Sequence, residues 1–239
     1  MSLWSYRVGA GAPAVCVHGI GVTSTYFRPL AHELARSRLV LVPDLPGWGR
    51  SPRPRETLDM RGLALALLAF LDGEGLERVP LVANSMGCQV AVELAIAAPE
   101  RVSALVLVGP TVDPYSRPLA RFVPAFLRDA LREPLSLDLL IVHDYLWMGL
   151  RRFVRTARRA WLHRIEERLP LVHVPSIVVR GKRDAFVSQR WCEEAAALLP
   201  GARLAVCDGA HAVHYSAPRE VAGVVLGFLE ECEDRGGEG

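Results

Sequence analysis

Three side chains far apart in the chain have the types needed for a nucleophilic relay: Ser85, Asp184 and His211. Ser85 stands in ANSMG, flanked by Ala83 and Gly87 at two-residue spacing, after the apolar run VPLVAN and directly before a helix-like pattern. Such a serine has two readings. It is an ordinary turn residue, or it is a nucleophile on a sharp strand-to-helix elbow, where small neighbours let strand and helix crowd the turn. A serine hydroxyl is a poor nucleophile at neutral pH and needs a base, which in turn needs an acid to orient it. Asp184 in VVRGKRDAFVS and His211 in VCDGAHAVHYS each come just past a candidate strand. Singly, Asp184 reads as a turn or N-cap residue and His211 as a hydrogen-bonded loop histidine. Placed after successive strand ends in the order nucleophile, acid, base, the three together favour the relay.

The chemistry also needs donors for the oxygen that becomes negative. His18-Gly19-Ile20, after the first clear strand, resembles an oxyanion-hole loop, in which the backbone N–H of Ile20 works with that of Met86. His18 is then a packing residue rather than the base. His214 is the second candidate base and Asp113 the second candidate acid. His211 and His214 form an HxxH pair, but metal sites need three or four ligands and no third ligand cluster is evident. No metal, nucleotide or flavin is expected.

These residues need a frame. The runs PAVCVH, LVLVP, VPLVAN, VSALVLVG, SIVVRG and ARLAVC are apolar throughout, which marks strands buried on both faces. Helix-like segments begin near Ser24, Leu58, Met86, Gln189 and Ala217. Strand and helix in alternation predict a mostly parallel sheet with helices on both faces. Between Thr111 and Val174 the rhythm breaks into apolar-plus-arginine helical patterns punctuated by Pro118, Pro124, Pro134 and Pro170. A connection that long must carry its own structure. The expected organisation is a core of residues 1–110 and 175–239 with a helical lid over residues 111–174. Some of the lid aromatics, Tyr115, Phe122, Phe126, Tyr145, Trp147, Phe153 and Trp161, are expected to line an apolar pocket. The arginine run GLRRFVRTARRAWLHR reads first as a solvated helix face, and second as an entrance that attracts anionic substrates. The closing EDRGGEG is expected to be irregular.

At 239 residues and 51% hydrophobic, the chain is long enough to bury a large core. A formal charge of +2 argues against a nucleic-acid partner. The start of the chain lacks a basic leader before a continuous apolar segment, and the most apolar window, Leu63 to Leu71, is far shorter than the roughly 20 residues of a membrane span. Five scattered cysteines without a CxxC pair read as small core residues in a reducing compartment. The expectation is a cytoplasmic protein acting on a small molecule, of undetermined oligomeric state.

The chain resembles the α/β-hydrolase fold superfamily. Besides ANSMG, the HGIG loop and the ordered Ser, Asp and His, PDLPGWGRSPRP matches that superfamily's D-x-P-G-x-G-x-S loop at Asp44, Pro46, Gly47, Gly49 and Ser51. The segments PERVSALVLVGP and GKRDAFV also look familial. The likeness covers essentially everything outside the insertion and departs at Ala83, where glycine is usual. It implies a Ser85–His211–Asp184 triad cutting an ester or thioester of a small acyl substrate. Dehalogenases and epoxide hydrolases of this fold use aspartate where Ser85 stands. The NSMG wording is similar to hydrolases that cleave carbon–carbon bonds in ring-fission products, although these carry tryptophan where this chain has Ala212. A third reading is a catalytically idle fold that serves as a ligand-binding module.

Overall fold

In the computed structural model, which describes residues 2–237, the chain forms seven strands: β1 Ser5–Val8, β2 Ala12–Val17, β3 Arg38–Pro43, β4 Val79–Asn84, β5 Val102–Val108, β6 Ser176–Gly181 and β7 Arg203–Cys207. The helices are α1 Arg28–Leu34, α2 Met60–Gly73, α3 Met86–Ala97, α4 Leu119–Ala130, α5 Leu135–Met148, α6 Leu150–Leu162, α7 Ile165–Arg168, α8 Gln189–Leu198, α9 Val213–Ser216 and α10 Pro218–Gly237. The strands lie in the order β1-β3-β2-β4-β5-β6-β7. All neighbours are parallel except β1, an antiparallel edge strand on β3. The sequence pattern did not reveal β1. SYRV is short and only partly buried, so it lacks the continuous apolar run that marks the inner strands.

Successive residues of each inner strand feed opposite cores. Val15, Val17, Leu81, Leu105 and Val178 pack on one face with α2, α3 and α8. Cys16, Val82, Val106 and Ile177 pack on the other with α1 and α10. The helices match these faces by their period. In α2, Met60, Leu63, Ala64, Leu67, Phe70 and Leu71 are buried, and in α10 so are Val221, Ala222, Val225, Phe228 and Leu229. Asp59 caps α2 by accepting from Gly62 N at 2.8 Å, and Ser188 caps α8 by accepting from Trp191 N at 3.1 Å. All five cysteines are free thiols, four of them buried. The tail expected to be irregular is helical as far as Gly237.

The register brings the carboxyl ends of the inner strands to one rim: Val17 pairs with Ala83, Asn84 with Val108, Val108 with Val179, and Gly181 with Cys207. The chain runs outward from β2 to β3 and returns to place β4 on the other side of β2, so a topological switch point lies beside the start of α3. Between β5 and β6 the described chain forms α4 to α7 and no strand.

Candidate active site

Ser85 joins β4 to α3 at φ 56° and ψ −124°, and it is the one non-glycine at positive φ among the described residues. Holding an L-residue there costs on the order of 1–3 kcal/mol and requires over-determined surroundings. They are present. Ser85 N donates to Val108 O at 3.0 Å, and Cys88 N donates to Ser85 O at 3.0 Å. A Cβ on Gly87 would lie 2.3 Å from Val17 O, so no larger residue fits two positions beyond the serine. Asn84 is fully buried and ties the elbow outward. Its Oδ1 accepts from Tyr26 Oη at 3.0 Å, while Nδ2 donates to Val108 O at 3.1 Å and to His211 O at 3.4 Å.

The loop after β2 lies directly against the elbow: a Cβ on Gly19 would sit 3.2 Å from Ser85 Cβ. Among the described residues, the N–H groups of Ile20 and Met86 have no protein acceptor, which leaves both available to a ligand. His18 shapes this loop. Its Nε2 accepts from Leu45 N at 2.9 Å, so Nδ1 carries the proton and donates to Gly19 O at 2.8 Å. Burial lowers its pKa against the pull of Asp44, which keeps the ring neutral. The Tyr145 ring from α5 occupies the space a Cβ on Gly21 would need, covering the loop from above. Of the expected pocket aromatics, Tyr145 reaches this rim and packs its ring, tilted by 41°, against Phe153 at 4.6 Å. Tyr115 is engaged elsewhere by Glu194, and Trp147 is exposed. The side chains of Phe122 and Phe126 lie outside the described residues.

Asp184 and His211 meet at the ends of β6 and β7. His211 Nδ1–H donates to Asp184 Oδ2 at 2.9 Å, and Asp184 Oδ1 accepts from Phe186 N at 2.8 Å and Val187 N at 2.7 Å. Gly109, at φ 54°, clears the space for this pair. A Cβ there would stand 3.0 Å from the His211 ring and 3.4 Å from Asp184 Oδ2. Burial alone would depress the imidazole, but the Asp184 charge and hydrogen bond, aided by Asp129 and Glu133, more than offset it and raise the pKa to about 9. Nε2 is buried and unpartnered among the described residues. Ser85 Oγ therefore makes no hydrogen bond to it here, and the two are tied instead through the contact from Asn84 Nδ2 to His211 O.

The two reserve candidates are occupied elsewhere. Asp113 accepts from Tyr115 N at 2.7 Å and from Ser188 N at 2.9 Å, bracing the start of α8. His214 is fully buried against Tyr26 and Phe27, at ring distances of 4.4 and 4.3 Å. Among the described residues, no group of three or more His, Cys, Asp or Glu side chains could hold a metal ion. Exposed Arg155, Arg158 and Arg159 of α6 line an open cavity of about 530 Å³ with Glu56, Thr57 and Leu162, and neither Ser85 nor His211 borders it.

Sequence reasoning missed several residues around the pair. Arg180, buried at the end of β6, donates to the carbonyls of Val187 (3.1 Å), Lys182 (3.2 Å) and Asp184 (2.8 Å) and so pins the loop carrying the acid. An arginine inside an otherwise apolar strand was the available signal. Asp129 and Glu133 reach the same loops from α4 and the turn after it, and nothing in their local sequence announces it.

A model of the alpha/beta hydrolase family matches residues 14–224. The polyketide synthase ThaQ of Burkholderia thailandensis is 32% identical over 94% of this chain, which spans 12% of the synthase's length. The putative carbamate hydrolase RutD of Azorhizobium caulinodans is 27% identical over 94% of each chain. A thermophilic esterase from Thermogutta terrifontis superposes with a TM-score of 0.82 at 22% identity, covering 96% of this chain and 93% of the esterase. Among the described residues, no helix is long and apolar enough to cross a membrane.

Proposed function

The chain belongs to the alpha/beta hydrolase family, and from that premise we propose that it hydrolyses a carboxylic ester or thioester through an acyl-enzyme on Ser85. In this reading His211 Nε2 takes the hydroxyl proton as Ser85 Oγ bonds to the acyl carbon. Asp184 holds the imidazole with Nδ1 protonated and stabilises the cation that forms. The N–H groups of Ile20 and Met86 receive the oxyanion, aided by the positive end of α3. The tetrahedral intermediate collapses, and His211 returns its proton to the departing alcohol or thiol. Water then attacks the acyl-enzyme with His211 again as base, releasing acid and free serine. Residues 111–174 act as a cap over the rim and supply Tyr145 to the acyl side.

The observation that carries the reading is the strained Ser85 backbone on the same rim as an imidazole whose Nδ1 is held by a buried carboxylate. A serine-directed organophosphorus probe, with the adduct mapped by mass spectrometry, tests it. Ser85 is expected to be modified, and Ser85→Ala is expected to abolish turnover of short p-nitrophenyl esters with an unchanged melting temperature. Labelling at another residue, or full turnover by the alanine variant, removes Ser85 from this role. No labelling at all would favour the idle, ligand-binding reading.

Cleavage of a carbon–carbon bond in a dienone acid is the second reading, resting on Asn84 and Met86 around the serine. Asn84 has a positional task between Tyr26, Val108 and His211 that any substrate class would use, so it does not select carbon–carbon cleavage, and Ala212 where such hydrolases carry tryptophan keeps the ester reading first. Loss of the dienone chromophore on mixing with the protein would reverse that preference.

A further inference from the structure

Two carboxyl side chains of the insertion end at the loops that carry the acid and the base. Ala212 N, next to His211, donates to Glu133 Oε1 at 2.6 Å. Ala185 N, next to Asp184, donates to Asp129 Oδ1 at 3.1 Å. Asp129 is buried, and Glu133 Oε2 is buried with no hydrogen-bond partner among the described residues. Neighbouring contacts complete the seam: Arg132 Nη1 donates to Arg183 O at 2.7 Å, and Tyr215 Oη meets Ser136 Oγ at 3.3 Å.

We propose that Glu133 and Asp129 are positioning residues for His211: they fasten the insertion to the acid and histidine loops and surround the imidazole with negative charge beyond that of Asp184. A backbone N–H can be satisfied by an amide or hydroxyl oxygen, so neither hydrogen bond by itself calls for an acid. Burying an acid carries a penalty, visible at Glu133, where burial pushes the carboxyl up to about 7 despite the bond from Ala212. What the charge can do here is act on the imidazole. The groups that face Glu133 are Asp129, Asp184, His211 and Tyr26. Those that face His211 are Asp184, Asp129, Glu133 and the neutral ring of His214. His211 is the one group among these that becomes positive, so each added carboxylate favours its protonated form and makes Nε2 the stronger base.

The consequence is a coupling. With the insertion seated, the base has three carboxylates; with it swung away, only Asp184 remains. Base strength thus depends on how the segment carrying Asp129 and Glu133 seats against the two loops.

The relay role of His211 comes from the proposed function, so the test has one readout that does not depend on turnover. Imidazole titration by NMR, with the His211 signal identified by its loss in His211→Ala, follows wild type, Glu133→Gln and Asp129→Asn. Both amides can still accept the backbone N–H. Each is expected to lower the His211 midpoint by roughly half to one pH unit, a modest share of what a nearby charge commonly exerts. If esters are turned over, the acid limb of kcat/KM should move down by the same amount, with KM changed less than about twofold. A midpoint unmoved in both variants overturns the proposal, as does a fall in rate with an unmoved acid limb, which would make the two acids purely structural. An imidazole shift in a protein that cleaves no ester would sustain this inference while removing the hydrolase reading.

Discussion

Replacing Asp184 with asparagine separates the charge of the acid from its shape. Asp184 Oδ1 accepts from Phe186 N and Val187 N, so the amide oxygen of the introduced asparagine should take that place. The amide nitrogen then stands where Oδ2 stood, 2.9 Å from His211 Nδ1, and two donors face each other. The imidazole escapes by moving its proton to Nε2, the tautomer that cannot accept from Ser85. The charge is lost as well. Against burial, the carboxylates raise His211 from 6.5 to about 9, worth roughly 3 kcal/mol between its protonation states, and Asp184 is the largest contributor. Without it, burial dominates and the midpoint should drop below 6.5. The expected result is a loss of about 10⁴-fold in kcat at pH 8, with the remaining acid limb displaced by more than two units. Stability gives a second readout. A folded-state pKa above the unfolded one adds stability that is complete below about 6.5 and lost as pH rises through about 9. Asp184→Asn should therefore melt well below wild type at pH 6, with the gap narrowing by pH 10. A variant within tenfold of wild-type turnover, or with an unmoved acid limb, would refute this account of the pair.

Gly109→Ala places a methyl 3.0 Å from the His211 ring at a φ of 54°, so stopped-flow ester hydrolysis should fall by roughly 10²-fold while circular dichroism remains native. In His214→Phe the phenyl ring replaces an imidazole whose two nitrogens are buried between Tyr26 and Phe27 and unpartnered among the described residues, so turnover should persist and stability rise by about 1 kcal/mol. Burial lowers His214 to about 3, so its contribution is complete above about 6.5 and is lost as pH falls toward 3. Acid denaturation followed by fluorescence should accordingly begin at lower pH in this variant.

Much of the molecule was legible because its cause is local. Runs such as VSALVLVG must be buried on both faces, and the spacing of Met60, Leu63, Ala64 and Leu67 puts one helix stripe against them. Ala83 and Gly87 around Ser85 announce a crowded turn because a side chain at Gly87 would collide with the carbonyl of Val17. The positions of Asp184 and His211 were legible for a related reason: strand ends in a parallel sheet share a rim. The edge strand β1 was hidden because a partly buried four-residue edge strand needs no continuous apolar run.

Tertiary structure alone decided the charge around His211. Asp113 and Asp184 look alike in sequence, yet one braces α8 and the other stands behind the imidazole. His211 and His214 are three residues apart, yet carboxylates raise one and apolar burial lowers the other. Glu133 meets the histidine loop across 79 residues and Asp129 the acid loop across 56. Steric patterns repeat along the chain and can be read from neighbours. Electrostatic environment depends on distance in space and on the exclusion of water, and both exist only once remote segments have packed.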